Sequence, residues 1–271
     1  MNGASREALA AARERLDALT DSTSVDAGAL ADELAAVTAL LDREVSLRRV
    51  LTDPAQAGEA KAELVQRLLG SQVGGAAVDL VSGMVRSRWS QSRDLVDALE
   101  ELADTADLTA AQKSGALDDV EDELFRFGRI VSSSTELRAA LTDRAATGSA
   151  KAELLRRLLG GRANATTERL VTRLVTAPRG RSLESGLESL SKLAAERRSR
   201  LVAVVTSAVP LSDTQKQRLG AALAKLYGHQ MHLNIDVDPE VLGGMRVQVG
   251  DEIINGSIAD RIEDAGRRLA G

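Results

Sequence analysis

The chain has 271 residues, enough for two or three domains, with 44% hydrophobic but only 1% aromatic residues, so its core must be built from Leu, Val and Ala. It contains no cysteine, which excludes disulfides, thiolate metal sites and thiol chemistry. The net charge of −5 disfavours nucleic-acid binding, and no run approaches the ~18 apolar residues of a membrane-spanning helix.

Residues 1–105 predict a bundle of helices. The first sixteen residues are charged and helical, with no apolar segment typical of a secretory signal. Asp53-Pro54 separates two of the helices, because proline fits the first turn of the helix that follows. Apolar spacing and turn residues predict helices over residues 4–19, 29–42, 45–52, 57–69, 76–88 and 92–103.

The middle of the chain repeats the beginning. Residues 51–70 recur as residues 141–160, with 14 of 20 positions identical at an offset of 90. We call residues 1–105 copy one and residues 106–199 copy two. At the same offset, the first helix corresponds to residues 94–109, which already form the last helix of copy one. We therefore expect the two copies to share this helix and to be coupled through it.

From residue 200 the pattern changes to mixed helix and strand. Residues 201–208 are rich in β-branched residues and predict a strand. Ser212 and Gln215 form a capping-box sequence at the start of a helix, and residues 231–237 alternate as a second strand. Two further strands join at Gly250, and a last helix follows Ser257. The predicted order is β-α-β-β-β-α, with the first two strands parallel.

The run VDPEVLGGMRVQVG, residues 237–250, followed by DEIINGSIADRI, residues 251–262, closely resembles the C-terminal signature of the delta subunit of F-type ATP synthases, the family that includes the mitochondrial oligomycin-sensitivity-conferring protein. The positions that carry the signature are Gly243, Gly244, Gly250, Asp251, Gly256 and Ser257. The likeness extends over residues 4–270. Relatives usually have one helical domain, whereas this chain has two copies. The sequence leaves open which copy performs the function of that single domain.

The fold class that follows is mainly α with a small α/β part. We expect three domains: the first helical bundle over residues 1–105, a second over residues 106–199 that shares the helix near 94–109, and an α/β domain over residues 200–271. Their net charges are −7, +3 and −1. Either these charges are ordinary solvated helix faces, or the first two segments contact different partners or each other.

Catalytic motifs are absent from the sequence. The runs GEAK at Gly58 and GSAK at Gly148 lack the spacing of a phosphate-binding loop. The histidines, His229 and His232, are better explained as structural than as metal ligands, and no nucleophile elbow accompanies them. We therefore expect no catalytic residue, no cofactor and no metal.

A binding surface remains the best candidate for a site. Small and apolar residues lie off the main stripes of two helices in copy one, where a partner helix could lie in a groove. Packing within the bundle would explain the same residues equally well. They are Ala8, Ala11, Ala18, Ala77, Leu80, Val81 and Met84.

The resemblance implies a non-catalytic stator subunit that links the alpha/beta catalytic head to the b-type helices of the peripheral stalk, so that rotation is coupled to ATP synthesis. It implies that N-terminal segments of the alpha subunits bind the helical domain, and that the protein lies at the cytoplasmic side of the cell membrane through its complex. We expect copy one to engage the head, and copy two with the C-terminal domain to engage the stalk. The alternatives are a generic helical-repeat adaptor and an RNA-binding α/β domain carried on helices.

Overall fold

The computed structural model describes residues 1–21, 25–199, 202–227, 231–238, 245–250 and 252–255. Two compact units divide the chain, Met1–Ala194 and Ala195–Gly271. The fold class predicted from the sequence is confirmed, with many helices followed by a small mixed sheet. The division into two bundle copies and a C-terminal domain stays a prediction. The last helix expected, after Ser257, lies outside the described residues.

Six helices make up the first part of the chain. Asp26 caps the second of them, its carboxylate accepting from the backbone N–H groups of Gly28 (2.8 Å) and Ala29 (3.1 Å). The helices are α1 Gly3–Asp21, α2 Ala27–Arg43, α3 Val45–Thr52, α4 Gly58–Leu69, α5 Gly75–Arg86 and α6 Ser92–Lys113.

The next five helices reproduce α2 to α6. They are α7 Leu117–Ser133, α8 Thr135–Thr142, α9 Gly148–Leu159, α10 Ala165–Thr176 and α11 Leu183–Ser199. Four of the five begin and end at an offset of 90 from their counterparts, and α11 begins at an offset of 91.

The repeat extends to individual hydrogen bonds. The Glu33 carboxylate accepts from the backbone N–H of Gly74 at 2.8 Å, at the start of α5. The Glu123 carboxylate accepts from the backbone N–H of Asn164 at 2.9 Å, at the start of α10. In both copies a carboxylate therefore satisfies an N–H group at a helix N-terminus, where the helix dipole favours negative charge.

Helix α6 lies at the centre of the first unit. Leu95, Leu99, Leu102 and Ala106 belong to the core that α1, α2 and α5 form with it. Helices α7 and α10 pack against the same helix. Nearly every residue from 94 to 109 is buried, because helices of both copies cover α6. The helix also reaches Lys113, ten residues beyond the end predicted from its spacing.

The second unit contains a four-stranded sheet. The strands are β1 Val202–Ser207, β2 His232–Val237, β3 Met245–Val249 and β4 Glu252–Asn255, with α12 Asp213–Tyr227 between the first two. The spatial order is β2-β1-β3-β4; β1 and β2 are parallel, as predicted, and the other pairs are antiparallel. Ala203, Val205, Val247 and Val249 form a small core with Leu223 of α12.

The predicted capping box at the start of α12 is present. The Ser212 hydroxyl accepts from the backbone N–H of Gln215 at 3.3 Å. The Gln215 side chain accepts in return from the backbone N–H of Ser212 at 2.9 Å.

Gly186 of α11 packs closely against α10. A Cβ atom at this position would lie 2.2 Å from Cδ1 of Leu174 and 2.8 Å from its Cδ2. We expect Gly186→Ala to lower the free energy of unfolding by ~1–3 kcal/mol, because it overpacks the contact between α10 and α11. Urea denaturation measures this.

Gly128 in the middle of α7 provides the matched control, since no atom lies within 4 Å of a Cβ built there. Gly128→Ala should raise the free energy of unfolding by ~0.5–1 kcal/mol, the usual gain of alanine over glycine inside a helix. Equal effects of the two substitutions would contradict the packing account.

Candidate partner-binding grooves

Helices α1 and α5 enclose a surface groove of about 410 Å³, which we call the first groove. Alanines at intervals of three, four and seven residues line its α1 side, because residues so spaced share one face of a helix. The residues that line it are Ala8, Ala11, Ala12, Glu14, Arg15, Ala18, Leu80, Gly83, Met84 and Ser87.

Five of the seven residues predicted as a binding surface line the first groove. Ala8 and Met84 are buried and contribute to its floor, whereas Ala11 and Ala18 are exposed. Ala77 and Val81, also predicted, are fully buried and belong to the core. A role in partner binding stays a prediction for all seven residues.

One ion pair borders the first groove. The Arg15 guanidinium donates from Nε to Asp79 Oδ2 at 2.8 Å and from its terminal nitrogen to Oδ1 at 2.5 Å, joining α1 to α5. Both side chains are substantially exposed, so the pair orients the groove wall more than it stabilises the fold.

Copy two has a counterpart of this groove, a pocket of about 390 Å³ that we call the second groove. It lies between α6 and α10, with α11 and the preceding loop as a further wall. Five of its lining residues, at an offset of 90, replace Ala11, Glu14, Leu80, Gly83 and Met84. These are Glu101, Asp104, Leu170, Arg173 and Leu174.

Charged side chains connect α6 to α10 in the second groove. Arg173 donates to Asp104 Oδ1 at 2.7 Å and to Asp107 Oδ2 at 2.8 Å. Arg169 approaches the second oxygen of Asp107 at 2.7 Å and donates to Asp32 of α2 at 2.8 Å. Asp107 is almost fully buried, and its charge is balanced by two arginines of α10.

The loop after α10 adds a second charged connection to α6. Arg179 is almost completely buried and pairs with Glu100, which is buried as well, and with Asp97 at 3.0 Å. Arg181 also approaches Glu100, at 2.7 Å. Arg179 adopts a backbone φ of 49°, which is uncommon for a residue with a side chain.

Burial perturbs the acidic groups of this cluster. It raises the pKa of Asp104 to about 7, an effect that Arg173 opposes and that the nearby Glu100 charge reinforces. Burial likewise raises the pKa of Asp107, against the opposing charges of Arg173 and Arg169. The cluster is therefore held together by pairing that only partly offsets the cost of removing carboxylates from water.

A third groove, of about 640 Å³, separates α7 from α11. The corresponding helices of copy one, α2 and α6, pack together more extensively than any other helix pair. Phe125 projects into this region with 58% of its surface exposed, and Leu124 and Leu187 contribute buried apolar surface.

Most of the signature residues predicted near the C-terminus lie outside the described residues: Gly243, Gly244, Asp251, Gly256 and Ser257. Gly250 is described, and its φ of 57° forms the turn between β3 and β4, where glycine is unstrained. His229 is also outside the described residues, and His232 is the first residue of β2.

Sequence reasoning missed the ion-pair cluster between α6 and α10. The available signal was the charge difference, −7 in residues 1–105 against +3 in residues 106–199. In the described ranges, no group of three or more acidic or histidine side chains is arranged to hold a metal ion. No helix in that same part of the chain has the length and apolar composition to cross a bilayer.

The pKa of Asp104 predicts a pH dependence of stability. Because this pKa is about 7 in the folded chain and 3.8 in the reference state, the folded chain binds more protons between those values. The free energy of unfolding should therefore fall as pH rises through this window, on the order of 4 kcal/mol in total. Urea unfolding at a series of pH values measures the decline.

Asp104→Asn should flatten that decline, since the amide stays neutral and still accepts from Arg173. Asp118→Asn, at an exposed position at the start of α7, controls for the change in net charge. An unchanged pH profile in Asp104→Asn would rule out Asp104 as the titrating group.

Comparison with known proteins establishes the family. A sequence profile described as "ATP synthase delta (OSCP) subunit" matches residues 105–269. A protein of Streptomyces coelicolor named "ATP synthase subunit delta" is 86% identical over 270 residues, covering 100% of this chain and 98% of that protein. The protein of the same name from Thermobifida fusca is 49% identical over 271 residues, covering 100% of both chains.

Among solved structures, a chain of the Toxoplasma gondii mitochondrial ATP synthase hexamer aligns at 24% identity, over 62% of this chain and 95% of that chain. The TM-score is 0.29, too low to establish a shared arrangement. The profile and the full-length relatives suffice: this chain belongs to the ATP synthase delta (OSCP) subunit family.

Proposed function

We propose that this chain connects the alpha/beta head of an F-type ATP synthase to the b-type helices of its peripheral stalk. Copy one binds an N-terminal segment of an alpha subunit as a helix in the first groove. Copy two, with the C-terminal domain, binds the stalk. The protein acts without chemistry of its own, as a stator subunit, and lies at the cytoplasmic side of the cell membrane through its complex.

The first groove is the main observation in support of a contact between copy one and the alpha/beta head. Alanines on α1 keep its floor shallow, so the backbone of a bound helix can approach closely. Leu80 and Met84 line the groove from below as buried core residues, so they make its floor apolar. Met84 also adapts readily to different side chains, because its chain is unbranched and polarizable.

The third groove supports a contact between copy two and the peripheral stalk. An exposed aromatic side chain beside a groove is typical of an interaction surface, since monomeric proteins usually bury such groups. Phe125 fits this description, and Ile130, five residues further along α7 and outside the groove lining, is 53% exposed. Arg129 and Glu188 at the groove supply polar groups of both signs.

Two separate contacts on one chain suit a component that works under torque. Once one partner is bound, the second contact is effectively intramolecular, so two moderate interfaces release slowly together. Within the first unit, α6 belongs to the packing of both copies, so a load on copy one passes to copy two through continuous helix.

Ala11→Arg tests the head contact. The long charged side chain should fill the first groove and weaken binding of a synthetic alpha-subunit N-terminal peptide at least tenfold, about 1.4 kcal/mol. Isothermal titration calorimetry measures the affinity. Ala10→Arg is the matched control, because Ala10 is exposed on α1 and does not line the groove. Equal affinities of the two variants would refute the head contact.

Phe125→Glu tests the stalk contact. It places a charge on the apolar surface of the third groove and should weaken binding to the purified soluble part of the b-type subunits by about tenfold or more. Leu158→Glu makes a similar change at an exposed apolar position on α9, outside that groove. If both variants bound the b-type subunits like the parent chain, copy two would not form the stalk contact through this surface.

A further inference from the structure

We propose that one position of the repeat, Gly83 in copy one and Arg173 in copy two, decides which copy accepts a partner helix. The inference rests on the proposed function, because it concerns the same head contact. It predicts that each chain binds one alpha-subunit segment although it carries two copies of the domain.

The two residues occupy equivalent places. Gly83 lies on α5 and lines the first groove, and Arg173 lies on α10 and lines the second groove. The helix opposite is α1 in one case and α6 in the other, and these two helices also correspond at an offset of 90. The comparison therefore isolates one side chain in a common framework.

At Gly83 the first groove is open. A Cβ atom there would meet only the Arg15 side chain, at 3.6 Å from Cδ and 3.9 Å from Nε, which is ordinary contact. The absence of a side chain leaves space between the two helices at the centre of the groove. A partner helix can use that space because the backbone of α5 is accessible there.

At Arg173 the same space is occupied by the chain itself. The guanidinium spans the groove from α10 to α6, and 17% of the side chain remains exposed. Its hydrogen bonds to Asp104 and Asp107 are 2.7 and 2.8 Å long. A helix entering the second groove would have to displace this arginine, which would leave the buried Asp104 without its arginine and the buried Asp107 with Arg169 alone.

A neighbouring substitution acts in the same direction. Ala11 of the first groove corresponds to Glu101 in the second, and Glu101 is paired with Arg13 of α1. The apolar wall of the groove is thereby replaced by an ion pair between α6 and α1. The second groove has therefore become an internal contact between copies, where the first groove remains a surface open to another chain.

A head contact in copy one is opposite to what alignment of the sequence with the family suggests. The family profile matches residues 105–269, which include copy two and the C-terminal segment. Alignment along the sequence would therefore assign the head contact to copy two. The side chains in the grooves assign it to copy one, because only the first groove lacks an internal occupant.

Peptide binding to the full chain tests the inference. A synthetic peptide of the alpha-subunit N-terminal segment should bind with a stoichiometry of one. Gly83→Arg should lower its affinity at least tenfold, since Glu14 stands where Asp104 stands in copy two and can hold the new guanidinium. Gly75→Arg, at the start of the same helix, outside the groove and with no atom within 4 Å of a Cβ, should bind like the parent chain.

The reciprocal change opens the second groove. Arg173→Gly combined with Asp104→Asn removes the arginine that occupies the second groove together with one of the two carboxylates that pair with it. The double variant should bind two peptides per chain. A photoreactive form of the peptide, used on the unmodified chain, should label the α1 and α5 walls of the first groove and leave Leu170 and Leu174 unlabelled. This last measurement requires no variant to fold.

Labelling of Leu170 or Leu174 in the unmodified chain, or undiminished affinity in Gly83→Arg, would overturn the inference while leaving the head contact itself intact. Failure of the unmodified chain to bind the peptide at all would overturn the head contact, and the inference with it.

Discussion

Helix α6 is the element on which the first unit depends. It closes the core of copy one through leucines and alanines on one side, and on another side it carries the acidic groups that pair with arginines of copy two. A helix covered on most of its surface cannot be moved without disrupting both copies. The charged side has a cost, because buried carboxylates are desolvated, and that cost shows as the raised pKa of Asp104 and Asp107.

The two copies keep the same contacts within the bundle but differ in the residues that line their grooves. Interactions that build the bundle are kept in both copies, as in the bonds from Glu33 and Glu123 to the helix that follows each. Interactions at the groove differ between copies. The first groove keeps small and apolar residues, whereas the second contains Arg173, Asp104 and Glu101. Divergence between the copies therefore falls on the residues that line the grooves.

A mechanical role requires rigid packing and no reactive groups. A stator subunit must hold two neighbours without deforming between them, and in the first unit α1, α2, α5, α7 and α10 all pack against α6. The two grooves proposed for its contacts differ in character: alanines line the first, and an exposed aromatic ring lies beside the third. Neither contact requires a reactive group, in keeping with the non-catalytic family to which the chain belongs.

Much of this architecture was determined by the sequence alone. Apart from the end of α6, the apolar periods located the helices of residues 1–105 to within a few residues. The offset of 90 identified the repeat, and β-branched alternation with Gly250 located the hairpin. These are local or periodic properties, which a single chain carries in its own order. The alanines of α1 also indicated the face that lines the first groove.

Only the tertiary structure decided which residues meet. Arg173 and Asp104 are 69 positions apart, and nothing in their local sequence distinguishes them from solvated helix residues. Their pairing depends on the approach of α10 to α6, as does the end of α6 at Lys113, where tertiary burial extends the helix beyond its own periodic signal. Ala77, Leu80, Val81 and Met84 are all buried in the core, yet only Leu80 and Met84 also line the first groove, because α5 is buried on more than one side.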